Sequence, residues 1–446
     1  MEYVVMIGQL ILSLSILIIL HEMGHFFPAK AFDTRVEKFY LFFDPWFSLF
    51  KKKVGETEYG IGWLPLGGYV KIAGMVDESF DTEQLKQPPQ PWEFRSKPAW
   101  QRLIIMLGGV TVNFLLGFLI FSMVLFAWGE EFMPASNVKY GIHVDSIGIQ
   151  MGLQNGDRIL KVGDSSFDKF SDRNVVRAIV IDNIKTLTVE RGGQELTLQI
   201  DPSMIKQLSS YKNKNKRLFT ERVPFVVGEI VKNSPASKSE LAKGDSVVGF
   251  NGDTLVFFDQ FQARLKASPA QTVEIQVIRE GAPKTIAITT SEEGTIGVRP
   301  FGGAYFFQTE RQEFGFFESF PAGTTKGLTF LSDQIKAFGH ILSGRIAASE
   351  SLGGFASIGS MFGTEWNWER FWTMTAILSL ILAFMNLLPI PALDGGHVLF
   401  LIGEVITGRK PSDKFMEYAT MVGFVLIIAL MLYANGLDIM RGCKYV

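Results

Sequence analysis

The sequence predicts a polytopic α-helical membrane protein. About four transmembrane helices, a membrane-associated β-hairpin and two small inserted α/β domains are expected. Three observations predict this. In a chain of 446 residues, 47% of them apolar, four apolar stretches approach the roughly 20 residues that cross a bilayer. A Gly-rich, strand-like stretch follows the first of them. Between the second and third, a block of β-branched segments and Gly-Asp turns occurs twice in one register.

The first span is expected from Val4 to about Leu20, and it runs without a polar spacer into "HEMGH" at 21–25. It lacks a basic leading segment and an Ala-x-Ala site, so it reads as a retained helix and not as a cleaved signal peptide. Residues 26–100 carry ten Lys and Arg, among them Lys51, Lys52 and Lys53. Arg409, Lys410 and Lys414 lie between the last two spans. Both segments are therefore expected on the cytoplasmic side, with the termini and the long central segment outside. Arg441 and Lys444 weigh mildly against this. The stretch "GIGWLPLGGYVKIAGM" (60–75) is apolar and too short to cross twice as helices. The second span is expected from Leu103 to Trp128, closing a first half of a membrane core at 1–128.

In the centre, "GLQNGDRILKVGD" (152–164) aligns with "ELAKGDSVVGFNG" (240–252). Leu153, Gly156, Asp157, Arg191 and Gly193 fall on Leu241, Gly244, Asp245, Arg279 and Gly281, always 88 positions later. Two copies of one small domain are expected at 129–205 and 220–303, joined by the polar linker 209–217. They resemble PDZ domains of the bacterial type, which bind extended peptides by adding a strand to a sheet edge. Which copy has an open groove is not legible. Residues 314–346 carry apolar side chains at spacings of three and four, predicting an amphipathic helix on the outer leaflet, within a linker region at 312–350. The remaining spans, about Phe371–Ile390 and Met416–Tyr433, form the second half of the core at 365–446.

The chemistry concentrates in the first span. On a helix, i and i+4 share a face, so His21 and His25 can present two imidazoles to one ion, with Glu22 beside them to take a proton from water. Two His and a carboxylate with one open position suit zinc, one ion per chain. Ionisable groups at membrane depth point to function. The near-neutral balance, a net charge of −2, gives no electrostatic case for nucleic acid. Cys443 is the single cysteine, which rules out an intrachain disulfide and a cysteine zinc site. A third ligand is sought at "NLLPIPALDGGH" (386–397), where Pro389 and Pro391 break the helix. Asp394 taken alone also fits a residue that caps the next helix. Paired with the histidine motif, it is favoured as the ligand. His143, His340 and His397 are not read as ligands, though His397 is near enough to Asp394 to support it.

"HEMGH" in the first span and "LDGG" at the third together resemble the paired signatures of the site-2 protease family of intramembrane zinc metalloproteases. The resemblance covers essentially the whole chain. It implies zinc held by His21, His25 and Asp394, Glu22 as general base and acid, and hydroxamate inhibitors that bind. It implies residence in a bacterial inner membrane, with the PDZ pair periplasmic and the site near the cytoplasmic side. The implied substrates are single-pass membrane proteins: an anti-sigma factor trimmed beforehand, in a stress response, and remnant signal peptides. Asn386 matches a family asparagine that contacts substrate. Gly67 and Gly68 lie in the stretch expected as a substrate-pairing, membrane-dipping hairpin. Asn113 of "GGVTVNF" (108–114) points either at the site or at a helix neighbour. Val110 and Phe355 stand where the family has proline. The competing reading is a catalytically inactive scaffold that binds membrane partners through its PDZ domains. A metal transporter would need polar residues along a path, and only one cluster is visible.

Overall fold

Apart from Gln9, Ser13 and Ser15, helix α1 (Glu2–Ala31) is apolar around its circumference from Tyr3 until His21, the pattern of a helix enclosed by lipid and protein on all sides. In the computed structural model, which describes residues 2–65, 67–75 and 87–443, the chain forms two compact units. The first comprises Met1–Gly129, Glu313–Ile335 and Leu352–Val446, and the second Glu130–Gln312 and Lys336–Ser351.

In the first unit, three helices among the described residues are long and apolar enough to cross a membrane: Tyr3–Ala31, Ala99–Trp128 (α2) and Lys414–Gly442. The expected third span, Phe371–Ile390, is a 19-residue helix, Trp368–Asn386, and falls outside that set. Its ends and middle explain this. Glu369 and Arg370 open it, and Thr375 and Ser379, both fully buried, stand where a lipid-facing helix would carry leucine. Thr375 donates to Ser13 on α1 at 2.9 Å, and Ser379 donates to the Asn113 carbonyl on α2 at 2.7 Å. The helix is enclosed by protein, so it needs polar partners more than grease. These buried polar residues are more widely spread than the single cluster visible in sequence, but they pair with one another across helix contacts.

The hairpin expected over 60–75 is not formed as one. Strand β1 (Val36–Leu41) is flanked by β3 (Thr57–Ile61), parallel to it, and β4 (Tyr69–Ile72), antiparallel, while β2 (Phe50–Val54) pairs with β3. The sheet order is β2-β3-β1-β4, so the two strands of the Gly-rich stretch pair with β1 and not with each other. Leu66 lies outside the described residues. Phe355, in place of a family proline, opens helix Phe355–Phe362, and its N–H donates to Asn435 Oδ1 at 3.2 Å. Proline at that position would forfeit this bond. Helix Phe316–Leu342 is amphipathic, as expected. Its small residues Ser319, Gly323 and Gly327 are buried, and a Cβ on Gly323 would lie 2.4 Å from the Ser122 nitrogen of α2.

The second unit carries the repeat. Strands Arg158–Val162, Ser165–Ser166, Thr186–Arg191 and Gln194–Gln199 form one sheet, and Ser246–Phe250, Asp253–Thr254, Thr272–Arg279 and Ala282–Thr289 form another in the same order. A bulge recurs at equivalent sites, between Ile159 and Lys161 and between Val247 and Gly249. Arg191 grips buried Asp157 through two bonds of 2.8 Å, and Arg279 grips Asp245 through two of 2.7 Å. The first boundary shifts from 205. Strand Phe219–Glu221 pairs with Ile142–Val144, and Phe219 lies in the first core. The linker 209–217 is thus an insertion within the first domain. A three-residue strand beyond a polar run carries too little alternation to be recognised. Helix Asp172–Val180 and residues 213–218 border a cavity of about 430 Å³ rich in Arg and Lys.

A candidate metal centre

Helices α1 and α2 cross where Gly24 meets Gly108. A Cβ on Gly108 would lie 1.9 Å from the Gly24 carbonyl oxygen, so only glycine lets the backbones approach this far. One residue on, a Cβ at Gly109 would stand 2.3 Å from His25 Nε2 and 2.6 Å from His21 Cε1. The imidazoles therefore fill the space that a side chain on α2 would take. At the other side, helix Asp394–Thr407 begins against the end of helix Trp368–Asn386. A Cβ on Gly395 would lie 2.4 Å from the Leu387 carbonyl oxygen, and one on Gly396 2.4 Å from that of Ile390. The two glycines after Asp394 are what bring its carboxylate to the histidines.

Sequence-distant donors meet here. His21 Nε2 and His25 Nε2 are 3.3 Å apart, and Asp394 Oδ2 lies 3.4 Å and 3.5 Å from them. Ligands held at about 2.0–2.1 Å around a tetrahedral zinc are about 3.3 Å apart. The three donors thus already stand at the spacing of three corners. Asp394 Oδ2 is buried and receives no hydrogen bond, which is costly for a carboxylate oxygen unless a cation satisfies it. Leu393 holds the helix cap position, so Asp394 is not spent on capping. His25 Nδ1 donates to the Ile105 carbonyl at 2.8 Å, which fixes the tautomer whose Nε2 lone pair faces the centre. These residues fit a zinc ion.

Glu22 borders the same cavity of about 110 Å³, with Gly68, Tyr69, Val70 and Asn386. Val70 of β4 and Glu22 line this cavity together. Strand β4, the free edge of its sheet, thus passes beside the carboxylate. Asn386 Nδ2 lies 3.4 Å from His21 Nε2, in the cavity. Asn113 is placed otherwise: its carboxamide lies 3.2 Å from His21 Nδ1, behind the ring, and 1% of it is exposed. It backs His21 and is not among the residues that line the cavity. Gly67 sits against the Phe43 ring, and Gly68 against Ile18 and the Tyr40 carbonyl. Among the described residues, His21, His25 and Asp394 are the one group of three spaced to hold a metal. His397 lines the cavity without joining them. Sequence reading missed Gly24, Gly108 and Gly109 as site-forming positions. The Gly-Gly pair in an apolar run was the available signal.

A model of peptidase family M50 matches residues 9–430. The chain is 27% identical to a "Putative zinc metalloprotease" of Treponema pallidum, over 98% of each chain. It is 26% identical to a regulator of sigma E protease of Haemophilus influenzae, over 99% of this chain and 100% of that one. To a regulator of sigma-E protease of Salmonella typhimurium it is 27% identical, over 95% and 96%.

Proposed function

The chain belongs to peptidase family M50 and is a zinc metalloendopeptidase of the membrane; from that premise we propose that it cuts single-pass membrane proteins inside the bilayer. The observation that carries this reading is the trio of donor atoms at tetrahedral spacing, with an orphaned Asp394 oxygen, set in the apolar helix α1 beside Glu22 and a free strand edge. His21, His25 and Asp394 are the ligands. When bound, zinc supplies the Lewis acidity that makes water a nucleophile near neutral pH and polarises the scissile carbonyl. Glu22 takes the proton from the attacking water and returns it to the departing amine. Asn386 offers its N–H to the developing oxyanion or to the substrate backbone.

A peptide bond in a helix is shielded, and a cavity of about 110 Å³ has no room for a helix about 10 Å across. The substrate therefore unwinds and adds to the edge of β4, passing Gly67 and Gly68, the second of which leads into that strand beside the cavity. Four crossings are proposed, Trp368–Asn386 being the enclosed one. The repeats are read as PDZ domains on the periplasmic side of a bacterial inner membrane, with the site toward the cytoplasmic face. The Arg- and Lys-rich cavity of the first repeat supports that copy as the peptide binder. From the resemblance to site-2 proteases, the substrate class is an anti-sigma factor already trimmed by another protease, in a stress response, and remnant signal peptides are a second class. Hydroxamates inhibit by taking the open position. The test is to map, by mass spectrometry, the bond cut in a single-pass substrate in liposomes. A cut within the apolar segment is expected. Cuts confined to flanking polar segments would overturn the intramembrane reading, and zinc retained without any turnover would favour the inactive scaffold.

A further inference from the structure

The end of the sheet away from α1's C-terminus carries an aromatic cluster with no role in the metal centre. Trp46 is 91% exposed, and Phe47, Leu49 and Phe50 are exposed beside it. The cluster is built, not loose. Trp63 stacks on Trp46 at 6.3 Å and on Phe47 at 5.9 Å, and its Nε1–H donates to the Pro45 carbonyl at 2.9 Å. Asp44 accepts from Tyr69 and Ser48, each at 2.9 Å, which ties the loop to the sheet.

Its depth follows from contacts with α1. Strand β1 starts near the C-terminal end of α1, with Thr34 N–H bonded to the Ala29 carbonyl. It then runs back along the helix, the Phe39 ring 5.6 Å from Phe26. By Gly68 the sheet touches Ile18. Ile18 is 13 residues before Ala31, about 20 Å of helix, and one turn beyond His21. The loops that carry Trp46 and Trp63 lie at this end. Lys51, Lys52 and Lys53 then climb away from it along β2, the other edge strand, all exposed and without an ion pair among the described residues. Glu58, opposite Lys53, is taken by Tyr40 at 2.8 Å.

We propose that this tip is an anionic-lipid anchor: Trp46, Phe47, Leu49, Phe50 and Trp63 enter the acyl region of the adjacent leaflet, and Lys51–Lys53 reach back to lipid phosphates. Apolar exposed rings suit the acyl boundary, and a lysine row extending from it suits a negative surface. The anchor fixes the sheet from the edge opposite β4, so that β4 keeps its place at Glu22. The proposal rests on α1 being a membrane span, not on proteolysis.

The full-length protein is tested in phosphatidylcholine nanodiscs with a minority of brominated lipid, the bromine on phosphatidylglycerol or on phosphatidylcholine. Tip fluorescence is the emission lost in Trp46→Tyr/Trp63→Tyr, whose zinc content reports folding. If that variant loses zinc, Trp46→Phe alone serves. Quenching of the tip emission is expected with both lipids, stronger with phosphatidylglycerol. Lys51→Gln/Lys52→Gln/Lys53→Gln should remove the excess and keep the remainder. Tip emission at water-exposed wavelengths and indifferent to bromine would overturn the anchor. Equal quenching by both lipids in the wild type would overturn its anionic preference. Activity is not read, so failure of the peptidase reading leaves the result interpretable.

Discussion

Gly109→Ala tests the geometry most sharply, because it adds one methyl group at a known distance. That Cβ would stand 2.3 Å from His25 Nε2, whereas ordinary contact begins near 3.4 Å. One partner must therefore yield by about 1 Å. Metal–ligand distances tolerate about 0.2 Å, so the imidazole cannot absorb the shift and still bind. Disturbing how metal ligands are held costs about 10- to 100-fold in metal affinity, and a direct clash with a ligand belongs at the upper end, about 100-fold or about 2.7 kcal/mol. The backbone works the other way, since Ala favours helix over Gly by up to about 1 kcal/mol; a loss therefore comes from the clash. Gly8→Ala, on α1 with nothing within 4 Å of its Cβ, is the control. Zinc affinity is measured by chelator competition in detergent. The expected result is a fall of about 100-fold for Gly109→Ala and none for Gly8→Ala. Wild-type affinity in Gly109→Ala would refute the packing of imidazoles against α2.

The remaining expectations concern the shell, the inhibitor and the repeat. Asn113→Ala should lower zinc affinity by about 10-fold: with zinc on Nε2, the Nδ1–H of His21 donates to the Asn113 carboxamide oxygen, which lacks a partner as oriented and gains one when the amide is turned over. Unchanged affinity by the same competition assay would sink that role. A peptide hydroxamate should inhibit in competition with substrate and protect zinc from chelators; inhibition with zinc lost to the chelator at the unprotected rate would contradict it. In the second repeat, burial pushes the Asp245 carboxyl up, but the bonds from Arg279 and the Ala242 N–H outweigh it, so its pKa lies below the ordinary value. A depressed carboxyl stabilises the fold above its unfolded pKa of about 3.9, and that stability is lost as pH falls through the folded value. The melting temperature of the isolated segment 130–312 should therefore drop below about pH 4, and less steeply in Asp245→Asn. Identical pH profiles would rule the pair out as the cause.

Much of this was legible because spacing encodes it. His21 and His25 share a helix face by arithmetic, and the 88-residue register carried the Asp157–Arg191 pair onto Asp245–Arg279. Trp368–Asn386 falls outside the helices long and apolar enough to cross a membrane because hydropathy measures contact with lipid, and this helix is enclosed by protein. Thr375 and Ser379 answer to Ser13 and Asn113 instead, residues more than 260 positions away. The pairing of β3 and β4 on either side of β1 was hidden for a related reason. A Gly-rich run between two strands reads locally as a hairpin, and nothing nearby in sequence announces a third strand that takes both edges. Gly24, Gly108 and Gly109 act by leaving space, which shows only once the opposing helix is present.

The most direct measurement compares wild type with Glu22→Gln on a single-pass substrate in liposomes, with bound zinc determined on the same samples. The substitution keeps His21, His25 and Asp394 and removes the proton acceptor. Cleavage by the wild type, and none by a variant that still binds one zinc per chain, is the predicted result. Equal cleavage by both proteins would contradict Glu22 as the base and the water-activating site built around it.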